Sequence, residues 1–216
     1  MQTKRAKHII DLLLGVGLLL LMSYQVVGEA GHEWTGIGMT ALMIVHQILN
    51  RKWFTALFKG KYTPLRAVQT FINAALVICF LLTALCGVNM SVHAVPFLGD
   101  FMRSSLGRRL HLTLSHWCFV LMGLHLGMHI PMMTAGLKWK GRTKTILAGL
   151  FTCIGGIGLY LFLRNGMPDY LFFRVPFAFL DYEKAGWLVF LENLLMLSFW
   201  ALIGNLAAII LRKRKQ

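Results

Sequence analysis

Charged residues are scarce in this chain, at 14% of its 216 residues, whereas a soluble domain carries about a quarter. The few charges are bunched between apolar runs, and each run is long enough to cross a hydrocarbon core of about 30 Å. CxxC pairs are lacking as well: the four cysteines all fall inside apolar runs, which argues against a zinc ribbon or a disulfide framework. The sequence therefore indicates an integral membrane protein.

Acidic residues are also few: 8 Asp and Glu stand against 22 Lys and Arg, a formal net charge of +14. An excess of this kind can attract nucleic acid. Here the basic residues bunch in the predicted loops and tails, as is typical of the cytoplasmic segments of a membrane protein. We therefore predict membrane lipid, and no nucleic acid, as a partner.

The apolar runs predict six membrane-spanning helices. They lie at about 8–27, 32–50, 67–90, 109–131, 145–164 and 186–211. Gly28 to Gly31 predicts a tight turn between the first two, and Pro131 is expected to close the fourth. The predicted fold is an all-α polytopic bundle that forms one domain over residues 1–216.

The distribution of basic residues predicts the orientation of this bundle. Sixteen of the 22 lie in the two tails and in the second–third and fourth–fifth loops. By the positive-inside rule, both termini are cytoplasmic. A cleaved signal peptide is the alternative for the first run, but that run is as long as a full span, which favours a retained helix.

Two of these runs carry most of the eight histidines. The second holds His32 and His46, and the fourth holds His111, His116, His125 and His129. A histidine in a lipid span is costly and usually faces the bundle interior with a partner. The histidines are therefore the strongest functional signal in the sequence.

Their spacing predicts which histidines face each other. Residues fourteen apart lie about 40° apart around a helix and about 21 Å apart along it. His32 and His46 have this separation, and so do His111 and His125. Because both runs are expected to cross from outside to inside, their alignment brings His32 opposite His111. The same alignment brings His46 opposite His125, and each pair offers the two imidazoles that six-coordinate haem iron accepts.

Other ligand sets stay open. His116 lies about 140° from His111 around an ideal helix. His129 falls one turn from His125 on the same face, so it is an alternative ligand or a contact of the inner haem. An irregular helix would allow His116 with His129. The plain alternative is a set of intramembrane histidines that hydrogen-bond to backbone or to neighbours.

Small residues accompany the histidines on both runs. They are Gly36, Gly38, Gly123 and Gly127. Such residues let a flat macrocycle approach a helix closely, and they equally let a second helix pack there. The sequence leaves both interpretations open.

The chain resembles the ferric reductase-like transmembrane cytochromes, in the stretches GHEWTGIGMTALMIVHQILNRKWF and RRLHLTLSHWCFVLMGLHLGMH. It looks closest to the small membrane cytochromes found with extracytosolic flavinylated proteins. The resemblance implies two b-type haems in a core of about 28–131, with additional helices at 145–211. The implied ligands of the haem iron are His32, His46, His111 and His125. Since CxxCH is absent, these haems would be held without covalent bonds.

The chain departs from the ferric reductases in one respect. They carry a cytoplasmic FAD- and nicotinamide-binding domain, and no Gly-rich fingerprint of that kind occurs here. We therefore expect electrons to come from a quinol or a separate flavin subunit. They would pass to an extracytoplasmic flavoprotein or to ferric iron, across what is expected to be a bacterial plasma membrane. The chain would then be the electron-transfer component of an oxidoreductase, working alone or as a haem-bearing anchor for a catalytic subunit.

Several charged residues near or inside the runs have two interpretations. Arg108 and Arg109 suit haem propionates, because the guanidinium fork matches a carboxylate, or they anchor the helix at the interface. Glu192 has no obvious partner in the sequence and is a candidate for proton handling or a quinol site. Asp11 is expected to pair with Lys7. A histidine-lined transporter for protons or metal ions, with Glu192 on its path, is the alternative function.

Overall fold

The computed structural model describes residues 2–98, 105–134, 136 and 140–213. All regular secondary structure in these ranges is helical, which confirms the all-α prediction. The helices are α1 (Gln2–Met22), α2 (Tyr24–Leu49), α3 (Lys52–Ala56), α4 (Pro64–Met90), α5 (Ser105–Met133), α6 (Gly141–Arg164), α7 (Met167–Leu171) and α8 (Gly186–Lys213). A short 3-10 helix covers Pro96–Leu98.

Three helices among the described residues are long and apolar enough to cross a membrane. These are Pro64–Met90, Gly141–Arg164 and Gly186–Arg212. Arg5–Met22 and Tyr24–Leu49 pass the same test only as a pair, and the chain bends by 119° between them. The structure thus supports a membrane protein with three or four candidate spans, and the count of six stays a prediction. Three of the sixteen basic residues that indicate the orientation lie outside the described residues: Lys138, Arg214 and Lys215.

Helix α6 illustrates why these helices suit lipid. Gly155, Gly158 and Leu161 are buried, whereas Ile146 and Ile157 on another part of its surface are more than half exposed. A helix in water would carry polar residues on its exposed face. An apolar exposed face is expected where lipid covers the helix.

Helices α1 and α2 form an antiparallel hairpin. Lys7 Nζ, near the start of α1, donates a 2.9 Å hydrogen bond to Asn50 Oδ1 beyond the end of α2. Further along, a Cβ at Gly17 would lie 3.0 Å from Met39 Sδ, so the helices approach closely there. The hairpin brings the N-terminal half of α1 beside His46, the second histidine of α2.

Two predicted boundaries lie elsewhere in the structure. The chain reverses at Ser23, whose hydroxyl donates to the Leu19 carbonyl at 2.8 Å, and not at the predicted turn over residues 28–31. Gly28 interrupts α2 with φ 69°, a conformation that glycine adopts without steric cost. Pro131 does not close α5, which continues to Met133. A proline removes one amide donor and crowds the carbonyl four residues earlier, but the two residues after Pro131 keep helical structure.

The chain divides into two compact units. The first comprises Met1–Lys61, Leu81–Leu112 and Pro176–Phe190, and the second comprises Tyr62–Phe80, Thr113–Val175 and Leu191–Gln216. The core of the second unit consists of Ile72, Leu76, Cys118, Leu121, Met128 and Ala208. These residues bring parts of α4, α5 and α8 together around one apolar cluster.

Glycines set the distance between α5 and α8 within the second unit. A Cβ at Gly123 would lie 2.5 Å from Trp200 Cβ, and one at Gly127 would overlap the carbonyl of Ala201. Gly204 of α8 is equally close to the Leu124 carbonyl. Of the two interpretations of Gly123 and Gly127, the structure therefore shows helix packing. Gly38 has open space beside it.

Candidate haem site

Helices α2 and α5 bring His32 and His111 together within the first unit. The centroids of the two rings lie 6.0 Å apart, with an angle of 73° between the ring planes. Metal–imidazole bonds of about 2.0–2.1 Å would place the two ligating nitrogens about 4 Å apart, with each ring centre further back. The observed separation suits one metal ion held between two imidazoles.

A backbone contact fixes the ring of His111. Its Nδ1 lies 3.0 Å from the Thr83 carbonyl oxygen of α4. Because a carbonyl only accepts, this contact places the proton on Nδ1 and leaves Nε2 as the basic nitrogen. Metal-binding histidines usually donate their other N–H to a carbonyl or carboxylate in this way.

His32 is less completely held than His111. The Leu21 carbonyl lies near its ring, but the buried Nδ1 makes no well-aligned hydrogen bond in the described residues. The ring of Tyr24 packs edge-on against it at 5.2 Å. A buried polar nitrogen without a good partner is costly. A ligand that binds Nδ1 of His32 would remove this energetic penalty.

His125 has a similar arrangement in the second unit. Its Nδ1 lies 2.8 Å from Asn73 Oδ1 of α4, which again leaves Nε2 as the basic nitrogen. The ring of His129 lies 4.7 Å from that of His125. The Asn73 contact favours His125 over its neighbour His129 as a metal ligand.

His116 takes part in packing within the second unit. It is buried and stacks on Tyr170 of α7, with ring centroids 4.3 Å apart and planes 2° from parallel. Thr113 Oγ1 donates to the Tyr170 carbonyl at 2.9 Å, and Trp117 Nε1 donates to the Leu171 carbonyl at 3.0 Å. One face of α5 thus attaches α7, and the alternative ligand set that includes His116 is disfavoured.

His46 lies in a polar cluster of the first unit. Its Nδ1 is 2.9 Å from Asp11 Oδ1, without good hydrogen-bond alignment. Its Nε2 is 3.4 Å from Asn50 Nδ2, at the long limit for a hydrogen bond. Sequence spacing predicted a pair of Asp11 with Lys7. In the structure, Asp11 instead contacts His46, and Lys7 donates to Asn50. As a metal ligand, His46 would exchange the weak Asn50 contact for the metal.

Glu192 has a partner that its sequence context did not reveal. Its carboxylate is buried and accepts a 3.0 Å hydrogen bond from Asn165 Nδ2, at the end of α6. The partners are 27 residues apart, so only the packing of α6 against α8 brings them together. A hydrogen-bonded buried acid is a structural element of this interface, which weakens the case for a proton path.

The two arginines that precede His111 differ in exposure. Arg108 is exposed and Arg109 is half-buried, both in the first turns of α5. Arg108, three residues before His111, shares a side of the helix with it, whereas Arg109, two residues before, does not. Binding of propionates by these guanidinium groups stays a prediction.

Glu33, next to His32, holds the segment that follows α4. One carboxylate oxygen accepts from the Val92 amide at 2.9 Å. The other accepts from Ser91 Oγ and from the amides of His93 and Ala94, at 2.7–2.8 Å. Sequence reasoning missed this role, because a glutamate at the start of a predicted span gives no sign of the loop that it holds.

Glu33 also belongs to a group of potential metal ligands. Ligand atoms of Glu29, Glu33 and His93 lie within 4.8 Å of one another, and Glu29 Oε2 is 3.7 Å from His93 Nε2. Four hydrogen bonds already occupy the Glu33 carboxylate. This group is therefore better explained as a loop anchor than as a metal centre.

A Glu33→Gln substitution is expected to loosen residues 92–94, because the amide offers one neutral oxygen acceptor in place of the two charged oxygens of the carboxylate. Hydrogen bonds to a charged group contribute about 1.5–3 kcal/mol each. We expect the amides of residues 92–94 to exchange with solvent at least about tenfold faster, measured by hydrogen–deuterium exchange. Glu29→Gln, which keeps the Glu33 carboxylate, is the matched control. Equal protection in both variants would contradict the anchoring role.

The arrangement can chemically hold a metal ion between neutral imidazoles. His111 and His125 are each set in one tautomer by an acceptor on α4, and neither acceptor was predicted from the sequence. Asn73 offered a signal, as a polar side chain within an apolar run. Comparisons with protein family models, with curated proteins and with solved structures find no match to this chain.

Proposed function

We propose that this chain is a b-type membrane cytochrome in which His32 and His111 bind one haem. The observation that carries the proposal is the facing of their rings at 6.0 Å. The 3.0 Å contact of His111 Nδ1 with Thr83 supports it, because it leaves Nε2 to bind the iron. A bound haem would supply one-electron oxidation and reduction.

A second haem completes the proposal. His46 and His125 are its proposed ligands, from their fourteen-residue spacing to His32 and His111. The contact of His125 with Asn73 supports His125 over His129. His129 would then lie beside that haem.

The proposed function is electron transfer across the bilayer. We place six spans in the membrane with both termini cytoplasmic, as the distribution of basic residues indicates. Electrons would pass from a quinol or a cytoplasmic flavoprotein to an extracytoplasmic flavoprotein or ferric iron. Membership of the ferric reductase-like cytochromes, in a bacterial plasma membrane, is part of the same proposal.

Proteoliposomes offer a test of this function. The purified protein, loaded with haem, is reconstituted with dithionite inside the vesicles and ferricyanide outside, and an ionophore compensates the charge. We expect ferricyanide reduction well above that of empty vesicles. Haem-free protein in the same lipid is the control. A rate equal to that control, from protein shown to contain haem, would contradict a transmembrane path.

An Asn73→Leu variant should loosen the second haem, because Leu cannot accept the proton of His125 Nδ1. Loss of such a supporting hydrogen bond typically lowers metal affinity by about 10–100-fold. Haem retention after dialysis against apomyoglobin measures the effect. Asn89→Leu is the matched control, since Asn89 also lies on α4 and its side chain donates to the Leu85 carbonyl of its own helix at 2.8 Å. Equal retention in the two variants would argue against His125 as a ligand.

A further inference from the structure

The approach of His111 to helix α4 depends on a glycine. A Cβ built at Gly87 would lie 3.2 Å from His111 Cε1 and 3.5 Å from His111 Nδ1. The first of these separations is tighter than ordinary contacts between a Cβ and a ring. Glycine at this position is therefore what allows the imidazole to lie against the helix.

The same glycine opens the carbonyl that His111 uses. In an α-helix, the carbonyl of residue 83 accepts a hydrogen bond from the amide of residue 87. A carbonyl oxygen has a second lone pair, and the Nδ1 of His111 reaches that oxygen at 3.0 Å. A side chain at Gly87 would stand between the ring and the helix at this point.

We propose that Gly87 is a positioning residue that sets the tautomer and the electron-donating strength of His111. It does so by leaving the Thr83 carbonyl open to Nδ1. The consequence for haem rests on the proposed function, whereas the effect on the tautomer does not. An imidazole that donates its N–H to a carbonyl is a more basic metal ligand, and a stronger donor favours ferric iron. Gly87 would thereby lower the reduction potential of the haem at His32 and His111.

Gly87→Ala tests this inference with a small perturbation. The methyl group must displace the imidazole by a few tenths of an ångström, which lengthens the contact between Nδ1 and the carbonyl. Alanine is a better helix former than glycine, so α4 should form normally. Gly149→Ala is the matched control, because a Cβ at Gly149, on α6, meets nothing within 4 Å.

The first readout is the His111 tautomer in the haem-free protein, by nitrogen-15 NMR of labelled histidines, with His111→Ala assigning the signal. We expect the Nδ1–H form in the wild type and in Gly149→Ala, and its loss or reduction in Gly87→Ala. An Nε2–H form in the wild type would overturn the inference, even if the alanine variant does not fold. Unchanged His111 signals in a folded Gly87→Ala protein would overturn it as well.

The second readout is the midpoint potential of the haem-loaded protein. Gly87→Ala should raise the potential of one haem, while Gly149→Ala should leave both unchanged. Equal potentials in the three proteins would overturn the effect on the ligand. A protein that binds no haem, yet shows the expected tautomers, would refute the proposed function and leave the positioning role of Gly87 intact.

Discussion

A His111→Ala variant should bind one haem per chain where the wild type binds two. Alanine removes one of the two imidazoles that face each other at 6.0 Å. The haem iron is then left with a single protein ligand, and we expect this haem to be lost during purification. His32→Ala should remove the same haem, because the two side chains serve one site. The haem-to-protein ratio from the pyridine haemochromogen assay measures both effects.

His8→Ala is the control for this prediction, since His8 is an exposed histidine of α1. It should keep both haems. The spectra and potentials of the haem that remains should agree between His32→Ala and His111→Ala. If the two variants lose different haems, the two residues do not share a site. If both keep two haems, the proposed ligands are wrong.

A Gly127→Ala variant should lose a large part of the stability of the second unit. Its Cβ would overlap the backbone carbonyl of Ala201, and a helix backbone cannot rotate away as a side chain can. Overpacking of this kind typically costs about 1–3 kcal/mol. We expect the apparent Tm in detergent to fall by several degrees, measured by the temperature dependence of helical circular dichroism.

Gly156→Ala is the matched control for the packing prediction. A Cβ at Gly156, in the middle of α6, meets nothing within 4 Å. Alanine there should leave the Tm unchanged or raise it slightly, because alanine favours the helix. A similar loss of Tm in both variants would show that a general effect of alanine, and not the contact with Ala201, is responsible.

The sequence predicted the helices well because long apolar runs have few alternatives to helix in a membrane. The helix limits were less predictable. The reversal at Ser23 is accompanied by a hydrogen bond to the Leu19 carbonyl, and the break within α2 uses the positive φ of Gly28. The continuation of α5 to Met133 shows that Pro131 removes an amide donor without ending the helix at that residue.

The site was predictable where it depends on helical periodicity. Spacing alone placed His32 opposite His111, and the structure brings these rings together. Contacts between segments far apart in the chain could not be predicted, because they leave no periodic pattern in the sequence. Thr83 acts through its backbone carbonyl, which every residue has, and the partner of Glu192 lies 27 residues away. The pairing of His46 with His125 stays a prediction of the spacing.

The reduced-minus-oxidised absorption spectrum of the purified protein, expressed with haem supplied, tests the central claim most directly. The account predicts the sharp α band of a low-spin, bis-imidazole b-type haem, with two haems per chain and loss of one in His32→Ala. A protein that is folded and helical, but shows no such band, would contradict the account.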